Sequence, residues 1–150
     1  LVFSAGHFIT YEGGICERLH GHNYRVRAAL HGHLDENQYV LDFLIFRDEL
    51  KAIVDELDHH MLLPAEHPAI QVDPNDREVS VHFEDRRWIF PRNDCILLPV
   101  SNTTSEMLAR YIGRRLLAAI EDRTGIRPGL VRIEVEECAG QAAICELRNE

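Results

Sequence analysis

Two histidines separated by one residue, His20-Gly21-His22, are the sharpest chemical signal in this 150-residue chain. On a strand, side chains at i and i+2 point the same way with Cα atoms roughly 6.6 Å apart, so both imidazoles can reach one ion. His7, at the end of an earlier apolar run, stands where a paired first strand would supply a third. Three neutral imidazoles leave the fourth position of a tetrahedral Zn²⁺ open, the ligand set of a catalytic rather than a structural site. The chain carries its own control in His31-Gly32-His33. That pair has the same spacing but lies in phase with Arg25 and Arg27, whose cations oppose a dication, and it reads as structural.

Cys16, four residues before His20, is open to three readings. As a thiolate bound to Zn²⁺ it would close the tetrahedron; near the ion and unbound it could take a proton; buried, it is a small hydrophobe. Asp58-His59-His60 places a carboxylate beside an imidazole, which fixes a tautomer and raises basicity as a proton relay requires. A protonated histidine stabilising a helix end is the bland alternative. Of Glu136 and Glu137, adjacent in a strand-like stretch, one must face the interior or an interface, and a buried carboxylate needs a partner such as a guanidine-like ligand edge.

These residues need elements to hold them. Residues 1–10 and 22–33 read as two strands of an opening hairpin, with His20, His22, Tyr24, Val26, Ala28 and Leu30 on the buried face. Asp42 caps a predicted helix in which Phe43, Phe46, Leu50, Ile53, Val54 and Leu57 recur at helical spacing up to Asp58. A second helix is predicted over 104–123, with Met107, Leu108, Tyr111, Ile112, Leu116 and Ile120 on its apolar side and Gly125 after its end. Residues 64–99 carry five of the six prolines and read as an elaborated connection of short strands over 79–83, 87–90 and 95–98. Alternation after residue 130, resuming beyond Ala139-Gly140, predicts a closing hairpin. The result is one α+β domain over 1–150, with mostly antiparallel strands, two helices on one face, and hairpin edges that invite oligomerisation.

Composition narrows the function. Lys and Arg total 16 against 25 Asp and Glu, a net charge of −9, so a nucleic-acid footprint of clustered cations has little support. No apolar stretch approaches the roughly 20 residues of a membrane span, and no signal-peptide pattern opens the chain, so a cytoplasmic location is expected. The four cysteines form no C-x-x-C pair and are expected reduced, with Cys138 opposite Cys145 across the hairpin as the alternative.

Taken in order, FSAGH (3–7), C-x-x-x-HGHNY (16–24), VLDF (40–43), LDH (57–59), NTTSE (102–106) and VEE (135–137) resemble the motif series of the 6-pyruvoyltetrahydropterin synthase / 6-carboxytetrahydropterin synthase family over nearly the whole chain. The resemblance implies a tunnelling fold (T-fold) of ββααββ subunits, commonly a homo-hexamer built from two trimers with active sites between subunits. It implies zinc ligands at His7, His20 and His22, a catalytic cysteine at Cys16, and an Asp-His relay at Asp58 and His59. Glu137 would anchor the pterin and join the relay, with Thr104 and Glu106 near the pterin pocket.

The implied substrate is 7,8-dihydroneopterin triphosphate. The Cys-x-x-x-His spacing resembles the bacterial 6-carboxytetrahydropterin synthases of the queuosine and 7-deazapurine pathway, and retention of Cys16 argues against the branch that places Glu there. The alternatives are a 6-pyruvoyl product, cleavage to a hydroxymethyl pterin, or a non-catalytic zinc-bearing pterin or purine binding module. The chain departs from the pattern at Phe8, where Arg is frequent, at Leu63, where Asn is usual, at Thr103, where Pro is common, and in the length of residues 64–99.

Overall fold

In the computed structural model, which describes residues 1–148, β1 (Val2–His7) is followed by a minimal ribbon of β2 (Thr10–Tyr11) and β3 (Ile15–Cys16), then by the long β4 (His20–His31). β1 and β4 pair antiparallel with Phe3 opposite Tyr24, Ala5 opposite His22 and His7 opposite His20. Alternation then does what the sequence implies: Tyr24 and Val26 are buried, while Arg25 and Arg27 are exposed. His31, Gly32 and His33 are exposed, and the strand ends at His31.

Helix α1 (Phe43–Leu57) begins at Asp42, whose side chain accepts from the Leu44 N–H at 2.7 Å. Leu50, Ile53, Val54 and Leu57 are buried as their spacing requires. Phe43 is a correction to the expected apolar stripe: it is 83% exposed, lying between the buried Leu41 and the first helix residues packed against the core, Ile45 and Phe46.

The chain leaves α1 through Asp58 in extended backbone and His59 at φ 58°, a left-handed value that a histidine adopts at some cost in strain. A reciprocal clamp holds this turn. The Ser4 N–H donates to Asp58 Oδ1 at 2.7 Å, and the His59 N–H donates to the Ser4 carbonyl at 2.7 Å.

Residues 64–99 do more than connect. β5 (His60–Pro64) lies parallel to β1, and β6 (Gln71–Pro74), β7 (Glu78–Phe83) and β8 (Arg86–Pro91) form a separate antiparallel meander. After a turn of 3₁₀ helix at Arg92–Asp94, β9 (Cys95–Leu98) returns parallel to β5. Helix α2 (Ser105–Thr124) follows, capped by the Thr104 hydroxyl accepting from the Met107 N–H and ended by Gly125 at φ 71°. β10 (Leu130–Cys138) and β11 (Gln141–Arg148) close the chain as the expected hairpin. In its register Cys138 faces Gln141 and Cys145 faces Ile133, so the two cysteines are not opposed; all four are free thiols.

The main sheet has the order β11-β10-β4-β1-β5-β9. Its four strands β11-β10-β4-β1 are antiparallel, as expected, and the inter-helix segment adds two parallel strands. The two helices cover one face over a core that includes Phe3, Tyr24, Leu57, Leu62, Leu116 and Ile133. A second core on the meander side contains Phe8, Met61, Leu63, Val79, Val81 and Phe83. β5 is therefore buried on both faces, Leu62 entering one core while Met61 and Leu63 enter the other. Its sequence is a continuous apolar run without alternation, which is why it does not stand out as a strand.

Leu116→Ala, at a fully buried position, is expected to cost about 2–5 kcal/mol in urea unfolding, whereas Phe43→Ala should stay within about 0.5 kcal/mol of the parent. A second expectation concerns the α1 exit. The Ser4 N–H, and then the His59 side chain, hold the Asp58 carboxyl below its ordinary value. Because the folded value is depressed, the stabilisation is present above the unfolded value, about pH 4, and is lost as pH falls through the folded one. Asp58→Asn should flatten this acid limb in urea midpoints measured against pH.

Candidate metal centre and active site

The β1–β4 register puts His7, His20 and His22 on the same face of adjacent strands. One nitrogen from each imidazole lies within 4.8 Å of the others. Gly21, between two of them, sits where the strands approach closely: a Cβ there would stand 3.1 Å from the Ala5 carbonyl oxygen.

Each ring's second nitrogen decides what the first can do. His7 is 2% exposed, and its Nδ1 lies 2.9 Å from the Thr103 carbonyl. A carbonyl only accepts, so Nδ1 carries the proton and Nε2 is left with a lone pair. That Nε2 is buried and has no hydrogen-bond partner. His20 Nδ1 likewise meets the Arg18 carbonyl at 2.8 Å, which frees its Nε2, 2.9 Å from His22 Nε2. Two imidazoles oriented by backbone carbonyls, with an orphaned buried nitrogen between histidines, fit a cation such as Zn²⁺. Burial pushes His7 below the ordinary histidine value, against the Thr103 bond, which keeps it in the neutral form a ligand needs.

His20 and His22 also line an open cleft of about 600 Å³ with His59, Ser4, Asn23 and Asp94. His59 Nδ1 is 2.8 Å from Asp58 Oδ2, so the expected Asp-His pair is formed, with the His59 side chain 81% exposed. His60, beyond the pair, contributes a buried Nδ1 without a partner.

Glu137 lies elsewhere, in a pocket of about 250 Å³ with Thr104, Ser105 and Glu106 at the start of α2. It continues the inward phase of Val131, Ile133 and Val135, and it sits at an irregularity of the β10–β11 register between Glu136 and Cys138. The Ser105 hydroxyl donates to its Oε2 at 3.2 Å. Its charge acts on both His7 and Tyr24. Thr104 is the α2 cap and Glu106 lies in the first turn of that helix. Glu136 instead bonds the Gly140 N–H at the hairpin turn.

Cys16 lines neither pocket. It is half-buried at the end of β3, and burial pushes its thiol up, with the Arg86 charge opposing. One chain thus brings His20, His22 and His59 to one cleft, with His7 buried beside the first two, while Glu137, Thr104 and Glu106 line another.

Several residues of this region are not evident in the sequence. Thr103, fully buried, orients His7 through its carbonyl and donates its hydroxyl to the Phe8 carbonyl at 3.0 Å. Tyr24 is fully buried with its ring 5.8 Å from that of His7 and 5.5 Å from that of His22, and its hydroxyl has no partner. Glu17 places a carboxylate oxygen 3.7 Å from His20 Nδ1. The departures Phe8 and Leu63 are core residues, with Phe8 stacked on Trp88 at 4.6 Å.

The family model described as 6-pyruvoyl tetrahydropterin synthase matches residues 1–148. A Methanocaldococcus jannaschii protein provisionally named 6-carboxy-5,6,7,8-tetrahydropterin synthase is 31% identical, over 95% of this chain and 88% of its own length. The Haemophilus influenzae 6-carboxy-5,6,7,8-tetrahydropterin synthase is 28% identical over 76% of each. A crystal structure of 6-pyruvoyl tetrahydropterin synthase from Plasmodium vivax superposes with a TM-score of 0.89 at 28% identity, covering 99% of this chain and 92% of that one. A variant of the Plasmodium vivax enzyme, 27% identical, replaces a glutamate described as a catalytic residue. The α+β tunnelling fold is therefore the one implied by the motifs. No helix of the described residues is long and apolar enough to cross a membrane. The chain belongs to the 6-pyruvoyl tetrahydropterin synthase family, as an enzyme of the tetrahydropterin synthase type.

Proposed function

We propose that the chain is a zinc-dependent lyase that converts 7,8-dihydroneopterin triphosphate to 6-carboxy-5,6,7,8-tetrahydropterin, in the queuosine and 7-deazapurine route. The observation that carries the metal part is the buried, unpartnered Nε2 of His7 beside the facing Nε2 atoms of His20 and His22. The relatives named 6-carboxytetrahydropterin synthase support the choice of product.

His7, His20 and His22 would hold the ion, which when bound polarises oxygens of the substrate side chain and the C–H bonds beside them. Glu137, held by Ser105, would accept the 2-amino and N3–H donors of the pterin and so set the ring's distance from the histidines. Cys16, as thiolate, would remove a proton from the side chain. His59 would return one, its ring oriented by Asp58, which is in turn fixed by the Ser4 N–H. The exposed His59 and the separation of the two pockets favour a site completed by a neighbouring subunit, in a homo-hexamer built through the edges β9 and β11. Thr104 and Glu106 would border the pterin. A cytoplasmic location belongs to the same proposal.

A second reading concerns the base alone. Glu17, with its carboxylate 3.7 Å from His20 Nδ1, is a rival to Cys16 for taking the proton. Cys16→Ala with zinc retained and turnover abolished supports the thiol. Turnover that survives in Cys16→Ala and is lost in Glu17→Gln transfers the role to the carboxylate.

The function is tested by elemental analysis of the purified protein and by product mass after incubation with 7,8-dihydroneopterin triphosphate. Zinc near one per chain and a chelator-sensitive 6-carboxy product are expected. A 6-pyruvoyl or hydroxymethyl product would replace the assigned reaction, and pterin binding without turnover would make the chain a binding module. Glu137→Ala should weaken pterin binding by about tenfold or more while leaving zinc content unchanged, since it removes a charge-assisted contact to the ring only. Equal loss of both would remove its anchoring role.

A further inference from the structure

The segment bearing Cys16 is poorly held by its own secondary structure. β2 and β3 pair over two residues each, Thr10 with Cys16 and Tyr11 with Ile15, and the turn between them passes through Gly13 and Gly14 at positive φ. Tyr11 and Ile15 are largely exposed. A two-residue ribbon does not define a backbone position by itself. The Glu17 N–H bond to the Ile9 carbonyl, at 2.9 Å, ties down its base, and the strand opposite is held at Thr10, whose carbonyl accepts from the Asn102 amide at 2.9 Å and whose hydroxyl lies 2.7 Å from His67 Nε2.

Side-chain contacts to the Cys16 backbone itself come from the meander. Arg86, the first residue of β8, donates one guanidinium nitrogen to the Cys16 carbonyl at 2.8 Å and to the Glu17 carbonyl at 3.2 Å, and a second nitrogen to the Glu17 carbonyl at 3.2 Å. Its guanidinium lies 4.6 Å from the ring centre of Trp88. Trp88 stacks on Phe8, the residue after His7, with ring centres 4.6 Å apart at 17°. The position of Cys16 is thus relayed to the end of β1 through one guanidinium and two aromatic rings. Val79, Val81 and Phe83 of β7 are buried in the same cluster as Phe8, with Trp88 packed against it, and so anchor the meander to the sheet.

We propose that Arg86 is the positioning residue for Cys16, holding the backbone that carries the thiol in a fixed relation to the His7 end of β1. This gives residues 64–99 a role in the reaction. It rests on the proposed part of Cys16 in catalysis. The planar fork of a guanidinium suits this role, because bonding two carbonyls at once needs a spread of donors that an ammonium cannot offer in one plane. The charged groups that face the thiol are Arg86 and Glu84 from the meander and Glu17 on its own segment, so the same guanidinium is the cation available to a thiolate there.

The test uses Arg86→Met, Arg86→Lys and, as a control, the exposed neighbour Arg87→Met. Two readouts are independent of each other: kcat and KM with 7,8-dihydroneopterin triphosphate, and the pH dependence of iodoacetamide alkylation at Cys16, followed by the mass of its peptide. Arg86→Met is expected to lower kcat about 10- to 100-fold with KM nearly unchanged, the effect of a misplaced reacting group. Its alkylation profile should move to higher pH. Arg86→Lys keeps the charge and loses the fork, so it should retain most of the alkylation profile and recover only part of kcat; Arg87→Met should match the parent in both. Parental kcat and alkylation in Arg86→Met would overturn the proposal. If that variant does not fold, parental kcat in Arg86→Lys overturns it. A lower melting temperature with an unmoved alkylation profile would reduce Arg86 to a structural contact. If the parent does not turn over the pterin, the functional proposal fails, and the alkylation profiles still decide whether Arg86 controls Cys16.

Discussion

The antiparallel register of β1 on β4 is the constraint on which the rest depends. Side chains on a strand alternate with period two, so His7, His20 and His22 share a face only while His7 stays opposite His20 and Ala5 opposite His22. A slip of one residue would turn His7 away from the other two and would lift Phe3 off Tyr24, whose rings stack at 4.8 Å. The hydrophobic pairing and the histidine cluster are therefore specified by the same ladder. The apolar face that makes the hairpin fold is the face that assembles the nitrogens.

Orientation is a second layer. An imidazole can place either nitrogen toward a ligand, and what settles the choice is the partner of the other nitrogen. For His7 that partner is the carbonyl of Thr103, just before α2, and for His20 it is the carbonyl of Arg18. The cap of α2 thus serves two ends. Thr104 closes the helix, Thr103 turns the histidine, and Ser105 reaches Glu137. Three successive residues connect the centre at the β1–β4 end with the carboxylate on β10.

The meander over 71–91 changes the packing of the sheet. By covering the second face of β5 it turns Met61 and Leu63 into core residues, and it uses Phe8 as the platform for Trp88. Phe8 and Leu63 are both parts of this second core. A charged residue at 8 would be buried beneath Trp88 without a partner, a cost of several kcal/mol that an aromatic ring avoids.

Much of this protein was legible in its residues because the relevant signals are local and periodic. The alternation in β4, the Asp42 and Thr104 caps, the helical spacing of both helices and Gly125 at φ 71° are each decided within a few residues. The His-x-His pair and the Asp-His pair are likewise chain neighbours, and the order of the motifs carried the family. The chemistry of partners distant in sequence was not legible. The Thr103 carbonyl on His7 spans 96 positions, and the Arg86 guanidinium on Cys16 spans 70. β5 was hidden because burial on both faces erases alternation, and Phe43 misled because spacing says which side a residue occupies, not whether anything packs there. Residue type and periodicity determine which groups are available and which face they take. Only the closing of the sheet decides that the Thr103 carbonyl meets the His7 ring and that the Arg86 guanidinium meets the Cys16 carbonyl, because those contacts depend on distances between segments the sequence does not order.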